Sequence, residues 1–148
     1  MLVAFLLGGA TLACLLPQPA AAGVSASERK LVRAIGKVRA KHGLKRVRVS
    51  RSLSRSAGRY SRWQLRHNYF GHQARIRMSS RFDTRGEVLR LVMGRRVSVR
   101  RTLRLWLRSP SHRAAILHGS MRLAGAGIAR GRFRGRRAVM VTVHLGAR

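Results

Sequence analysis

Three side chains stand out in this sequence as candidates to hold a metal ion or move a proton. They are His72 after Tyr69-Phe70-Gly71, Glu87 after Gly86, and His112 within Trp106-Leu107-Arg108-Ser109-Pro110-Ser111-His112-Arg113. Two imidazoles and a carboxylate make a workable zinc set, because neutral imidazole nitrogens suit zinc and a carboxylate either binds the ion or polarises its water. Their spacing is unlike the i, i+4 histidine pair of a helical zinc motif, and from spacing alone a structural histidine at a helix start is the commoner outcome. A hydrolytic reading is open too, with Glu87 as base beside a zinc-activated water, or with Ser109 or Ser111 as nucleophile next to His112. The same Ser-Pro-Ser run serves equally as caps for a helix that begins at Pro110.

Acid counting removes other chemistries. Glu28, Asp83 and Glu87 are the only acidic residues among 148, against 33 Lys plus Arg, for a formal charge of +30. A multi-carboxylate calcium cage or a two-metal phosphoryl-transfer site needs more oxygen ligands than three scattered acids supply. A paired-carboxylate glycosidase would have to use two of the three. Cys14 is the single cysteine and sits in the apolar N-terminal run, so the body of the chain has no thiol nucleophile and no disulfide.

The elements that must position His72, Glu87 and His112 can be read from caps and periods. Ser25-Ala26-Ser27-Glu28 is a capping box, and Leu31, Ile35 and Val38 follow on one face, which predicts a helix over about 26–42 that stops at Gly43. Val47-Arg48-Val49 reads as a short extended piece. Ser50 caps a second helix whose Leu53, Ala57, Tyr60 and Trp63 or Gln64 recur every three or four residues, to about His67, with Gly71 as its breaker and His72 on the loop beyond. From Gln73 to Gly86 no period survives, so a loop with one short helical turn is expected. Ser98 caps a third helix that ends before Pro110, and Pro110 opens a short fourth one carrying His112, Ile116 and Leu117. Two extended segments, about 122–129 and 137–145, flank a turn at Gly131 to Gly135; Val139, Val141, Val143 and Leu145 alternate with Met140, Thr142 and His144 as one-sided burial requires. Gly125-Ala126-Gly127 falls in a strand, where it signals close backbone approach. Helices followed by a terminal hairpin give an α+β fold with an antiparallel sheet, and no Gly-rich phosphate-binding turn is present.

Composition suggests where the domain works. The first 22 residues carry no charge, and the run Leu2 to Leu16 ends in Pro17-Gln18-Pro19-Ala20-Ala21-Ala22. This pattern predicts an export signal at 1–22 cut after Ala22, and a secreted, extracellular or periplasmic domain at 23–148; left uncut, the run would be a short hydrophobic anchor. With 29 Arg against 4 Lys, codon bias explains part of the arginine content but not the lack of acids. A field this positive attracts anionic envelope polymers, lipid headgroups and, without sequence preference, nucleic acid. Tyr60, Trp63, Tyr69, Phe70 and Trp106 are assigned to motif or core-facing positions, with no base-stacking platform. A monomer is expected.

The order Asn68-Tyr69-Phe70-Gly71-His72, Gly86-Glu87, Trp106-x-x-Ser109-Pro110-x-His112-Arg113-x-x-Ile116-Leu117 and Gly125-Ala126-Gly127-Ile128-Ala129 resembles the bacterial branch of the CAP superfamily. That superfamily joins cysteine-rich secretory, antigen 5 and pathogenesis-related proteins, and its domain is also called SCP-like. The match runs from about Ser25 to the C-terminus. The resemblance implies a three-layer α-β-α sandwich with a central antiparallel sheet and an open cleft lined by two histidines. His72 and His112 match those histidines and would be the metal ligands; Glu87 matches the carboxylate of a Gly-Glu-Asn segment, where this chain has Val88 in place of Asn. No acid near Trp106 supplies the second carboxylate of fuller members, the loop after His72 lacks Pro-Asp-Gly, and Leu145-Gly146 stands where many members end in Phe-Gly. The implied activity is binding or signalling rather than catalysis, with zinc or another divalent cation as the expected cofactor.

Overall fold

The computed structural model describes residues 23–148 apart from 79 and 80. The expected leader, with Cys14, lies outside the described residues. Helix α1 spans Ala26–Lys41, and its capping box forms: Ser25 Oγ accepts from Glu28 N at 3.3 Å and Glu28 Oε2 accepts from Ser25 N at 2.8 Å. Glu28 Oε1 also accepts from Ile128 N at 3.1 Å, so one acid both caps α1 and ties it to the sheet. Strand β1 is only Arg48–Val49. Helix α2, Arg51–Arg66, starts on Ser50 as N-cap. It ends at His67, as its period indicated, because Asn68 turns the chain in a left-handed conformation (φ 48°), a role Asn fills just past a helix end.

Strand β2, Thr84–Met93, is the element that periodicity missed. The remaining elements are α3 (Val99–Arg108, N-cap Ser98), α4 (Pro110–Leu117), β3 (Leu123–Phe133) and β4 (Arg136–Ala147). The strand order is β1-β3-β4-β2. β2 and β3 pair antiparallel with β4, but β1 runs parallel to β3, so the sheet is mixed and not purely antiparallel. The parallel pair follows from placement: a helix, not a hairpin, leads from β1 onward, and β3 is reached only after α4.

Both faces of the sheet are covered, which makes the α-β-α sandwich. On one face α1, α3 and α4 bury Leu31, Val32, Ile35, Leu103, Trp106 and Ile116 against Val139, Val141, Val143 and Leu145. The alternate residues of β4 do not face water as one-sided burial anticipated. Met140, Thr142 and His144 are fully buried beneath α2. That second interface mixes a small apolar cluster of Leu65, Ala129, Phe133, Ala138 and Met140 with polar contacts: Ser61 Oγ donates to Thr142 Oγ1 at 2.8 Å, and Gln64 lies beside the same hydroxyl. Gly125 and Gly127 let α2 settle backbone against backbone, since a Cβ at either would lie 2.0 Å from Ser54 N or 2.2 Å from Gly58 N.

Candidate functional site

Glu87 lies opposite His144 in the β2–β4 pairing, and His144 lies opposite Gly125 in the β4–β3 pairing, so the three form one row across the sheet. Neighbours in such a row point their side chains the same way. Glu87 and His144 therefore meet beneath α2, with His144 Nε2 3.0 Å from Glu87 Oε2. From the segment after α2, His72 Nδ1 reaches Glu87 Oε1 at 3.0 Å, Gln73 N reaches the same oxygen at 3.2 Å, and Gln73 Nε2 reaches Oε2 at 2.8 Å. The carboxylate side chain is almost wholly buried, whereas the His72 side chain is 58% exposed.

Two opposing effects set the charge of Glu87. Burial pushes its carboxyl up, but hydrogen bonds from His144, Gln73 and His72, with the electrostatic attraction of His144, outweigh burial and hold it below the usual carboxylate value. An ionised carboxylate only accepts, so His72 Nδ1 and His144 Nε2 both carry hydrogen toward it. On the far side of His144, Nδ1 is 2.7 Å from Ser56 Oγ, whose proton has a second acceptor in Leu53 O at 2.9 Å.

His112 comes from the other layer. Helix α4 packs on edge strand β2 and brings the His112 ring to 6.0 Å from the His72 ring, centroid to centroid. Ser109 is the N-cap residue of α4, yet its hydroxyl makes no capping bond; it meets His112 Nδ1 at 2.9 Å. Partial burial and the neighbouring His72 both lower the tendency of His112 to protonate. Nε2 of His72 and Nε2 of His112 are thus the nitrogens left over, with no partner among the described residues. Each ring is fixed through its other nitrogen, His72 by a carboxylate and His112 by a hydroxyl, which is how metal-binding imidazoles are commonly oriented. Among the described residues no group of three or more His, Cys, Asp and Glu is placed to share an ion. Glu87 is turned to His72 and His144, and Ser109 and His112 have no acid behind them to complete a nucleophile–base–acid chain.

His144 and Ser56 were absent from the sequence reading of this site. The usable signal was the almost unbroken apolar run Ala138 to Leu145, which marks a strand covered on both faces, so that a histidine within it must be buried and paired. The aromatics divide between core and surface. Trp106 is core, its Nε1 donating to Leu89 O at 2.8 Å, but Trp63, Tyr69 and Phe70 are exposed. Tyr60, Trp63 and His67 stack in a line along α2.

Comparison with known proteins identifies the family and the fold. The sequence profile of the Cysteine-rich secretory protein family, CAP, matches residues 32–145. The chain belongs to the CAP family. Among curated proteins none matches it significantly. Solved structures share its fold. An outer surface protein from Borrelia burgdorferi superposes with a TM-score of 0.65 at 20% identity, over 80% of this chain and 90% of that one. Venom allergen-like protein 4 from Schistosoma mansoni gives 0.66 at 11% identity, over 84% and 90%. An extracellular SCP-domain protein from Bacillus anthracis gives 0.60 at 18% identity, over 82% of this chain but 40% of that longer one. Within the described residues of this CAP domain no helix is long and apolar enough to cross a membrane.

The direction of the Glu87 shift yields an acid-stability prediction. Because its folded-state pKa lies below the ordinary 4.5, Glu87 adds stability that is complete above that value and is lost as pH falls through the lower folded one. Melting temperature should fall as pH drops below about 4.5, the ordinary carboxyl value. Glu87→Gln should be less stable than the parent at pH 7 and should flatten that decline. An unchanged acid slope in the variant would show that other groups control acid unfolding.

Proposed function

We propose that this protein is an exported, non-catalytic CAP binding module, whose His72–His112 cleft takes a divalent cation, zinc foremost, as part of its ligand site. The observation that carries this reading is the occupation of Glu87. Both its oxygens are engaged by His72, Gln73 and His144, and its proton affinity is reduced, so the acid that a metallohydrolase would use as base serves instead to orient His72. His72 and His112 then supply one neutral nitrogen each, and the cation would leave coordination positions open to a ligand. Two nitrogens against a positive field mean weak binding. Export is supported by the apolar leader and by relatives named as outer surface or extracellular proteins.

Calorimetry with zinc on residues 23–148 tests the cleft. His72→Ala and His112→Ala should each remove the binding heat, and Glu87→Gln should weaken affinity roughly 10- to 100-fold, as loss of an orienting partner does. Equal heats in parent and both alanine variants would remove the site. A broad peptide panel separates module from enzyme: turnover that disappears in Glu87→Ala, with the fold intact, would overturn the non-catalytic reading.

A further inference from the structure

A second concave site lies beside the cleft, and α2 builds it. Arg59, Arg62 and Arg66 recur at i, i+3 and i+7 on one face of the helix, and the segment after His72 adds Arg75 and Arg77 from the opposite side. Together they surround a pocket of about 780 Å³, within the size range of small-ligand sites. None of the residues lining it is acidic. Nor does any of the five guanidinium groups have a hydrogen-bond or ion-pair partner among the described residues, all five being solvent-exposed. Like charges three and four residues apart disfavour a helix by a few tenths of a kcal/mol per pair. Two of the chain's three acids cannot relieve that repulsion: Glu28 caps α1 and Glu87 is held by the cleft.

Arginine is abundant over the whole surface, so charge alone does not mark this place. Its wall does. Tyr60, Trp63 and Tyr69 line the pocket between the arginines and give a carbon skeleton something to lie against. The two faces of the Trp63 ring are already taken, by Tyr60 at 5.7 Å and His67 at 4.5 Å, both nearly parallel to it, while Tyr69 meets it edge-on. An indole closed on both faces cannot intercalate with a nucleobase, and the ring edges that remain carry partial positive charge and favour oxyanions. The pocket thus offers planar forks that grip phosphate oxygens in pairs, edges that tolerate them, and no free indole face for a base.

We propose that this α2 pocket binds the phosphate groups of a polyol- or sugar-phosphate chain. The site adjoins the cation cleft, with His72 and Gln73 on the wall between them, but its arginines take no part in the cleft, and the inference goes beyond the function proposed above. It gives the basic surface a defined point of attachment to an anionic polymer in place of diffuse attraction.

The test uses residues 23–148 in metal-free buffer at about 0.15 M salt, where long-range attraction is screened beyond roughly 8 Å. A short glycerol-phosphate oligomer is titrated while tryptophan fluorescence is followed. Trp63 lines the pocket and Trp106 is 2% exposed, so the signal should come from Trp63 and vanish in Trp63→Phe. Exchanging Arg62 and Arg66 together for Gln should weaken binding at least about tenfold, the loss expected from removing charge-assisted hydrogen bonds. The equal-charge control Arg100→Gln with Arg104→Gln, on α3, should change it less than about twofold, since distant exposed charges are screened. Exchanging Arg62 and Arg66 for Lys should fall between, as a charge without a fork does. Free tripolyphosphate competing as well as the oligomer would assign the site to soluble polyphosphate of the same chemistry. Equal losses in the pocket and α3 variants would overturn the proposal, as would tighter binding of a single-stranded oligonucleotide or of anionic lipid vesicles. Failure of the zinc titration leaves this experiment unaffected, because no cation is present in it.

Discussion

Alanine at Gly127 will cost this domain more than about 3 kcal/mol, and alanine at Gly125 as much or more, the upper range of what overpacking does. The reason is that nothing nearby can give way. A Cβ on Gly127 would sit 2.2 Å from Gly58 N and 2.4 Å from Ala57 C, and one on Gly125 would sit 2.0 Å from Ser54 N and 2.3 Å from Leu53 C. These are atoms of the α2 backbone, not ends of flexible side chains, so the whole helix must lift from the sheet. Lifting α2 would separate Ser61 and Gln64 from Thr142, and Ser56 from His144. The melting temperature should fall by roughly 10 °C or more for a domain of this size. Gly119→Ala is the control, because no atom lies within 4 Å of its added Cβ, and it should stay within about 0.5 kcal/mol of the parent. A Gly127→Ala protein that melts like the parent would mean that α2 and β3 do not pack backbone against backbone.

Those glycines were legible in the sequence as a close approach, and so were the helices, because Ser25, Ser50 and Ser98 state their starts in residue type alone. What approaches the glycines was not legible. The face that α2 buries is made of Ser54, Ser56, Ala57, Gly58, Ser61 and Gln64 as much as of leucine, so apolar periodicity picked out Tyr60 and Trp63 near one edge of it. With α2's true face hidden, β4 was read as half-exposed, and His144 was lost with it. Strand β2 escaped for a related reason. It lies at the sheet edge, its buried stretch is the four residues Gly86 to Leu89, and charged residues at 85, 87 and 90 break any alternation. Its register against β4 alone places Glu87 opposite His144, and register is a property of two strands that one segment does not display.

Residue type was likewise silent about Arg39, and its removal is the other change of large expected effect. Arg39 is fully buried on α1. Its Nε donates to Lys45 O at 3.0 Å, Nη1 to Ile116 O at 2.6 Å and His118 O at 2.9 Å, and Nη2 to Met121 O at 3.0 Å. No carboxylate takes part: carbonyl dipoles balance the charge, two of them at the C-terminal end of α4, where a helix is negative and a cation is favoured. Burial, then the nearby Arg122, make the guanidinium less basic than usual. Arg39→Met preserves much of the volume but leaves these carbonyls without their donor, so we expect a loss of about 3–5 kcal/mol. Arg39→Lys keeps the charge without the fork, and one ammonium cannot span acceptors from Lys45 to Met121, so it should recover only part of the loss. The damage should also travel. Because Arg39 holds the end of the helix that carries His112, amide exchange in α4 should rise in Arg39→Lys before the sheet loosens, and its zinc affinity should fall with His72 and His112 both intact. Chemical denaturation and hydrogen exchange check the two parts separately. Parent-like stability in Arg39→Met would show that α1 and α4 are held together by their apolar contacts, and that the buried cation is dispensable.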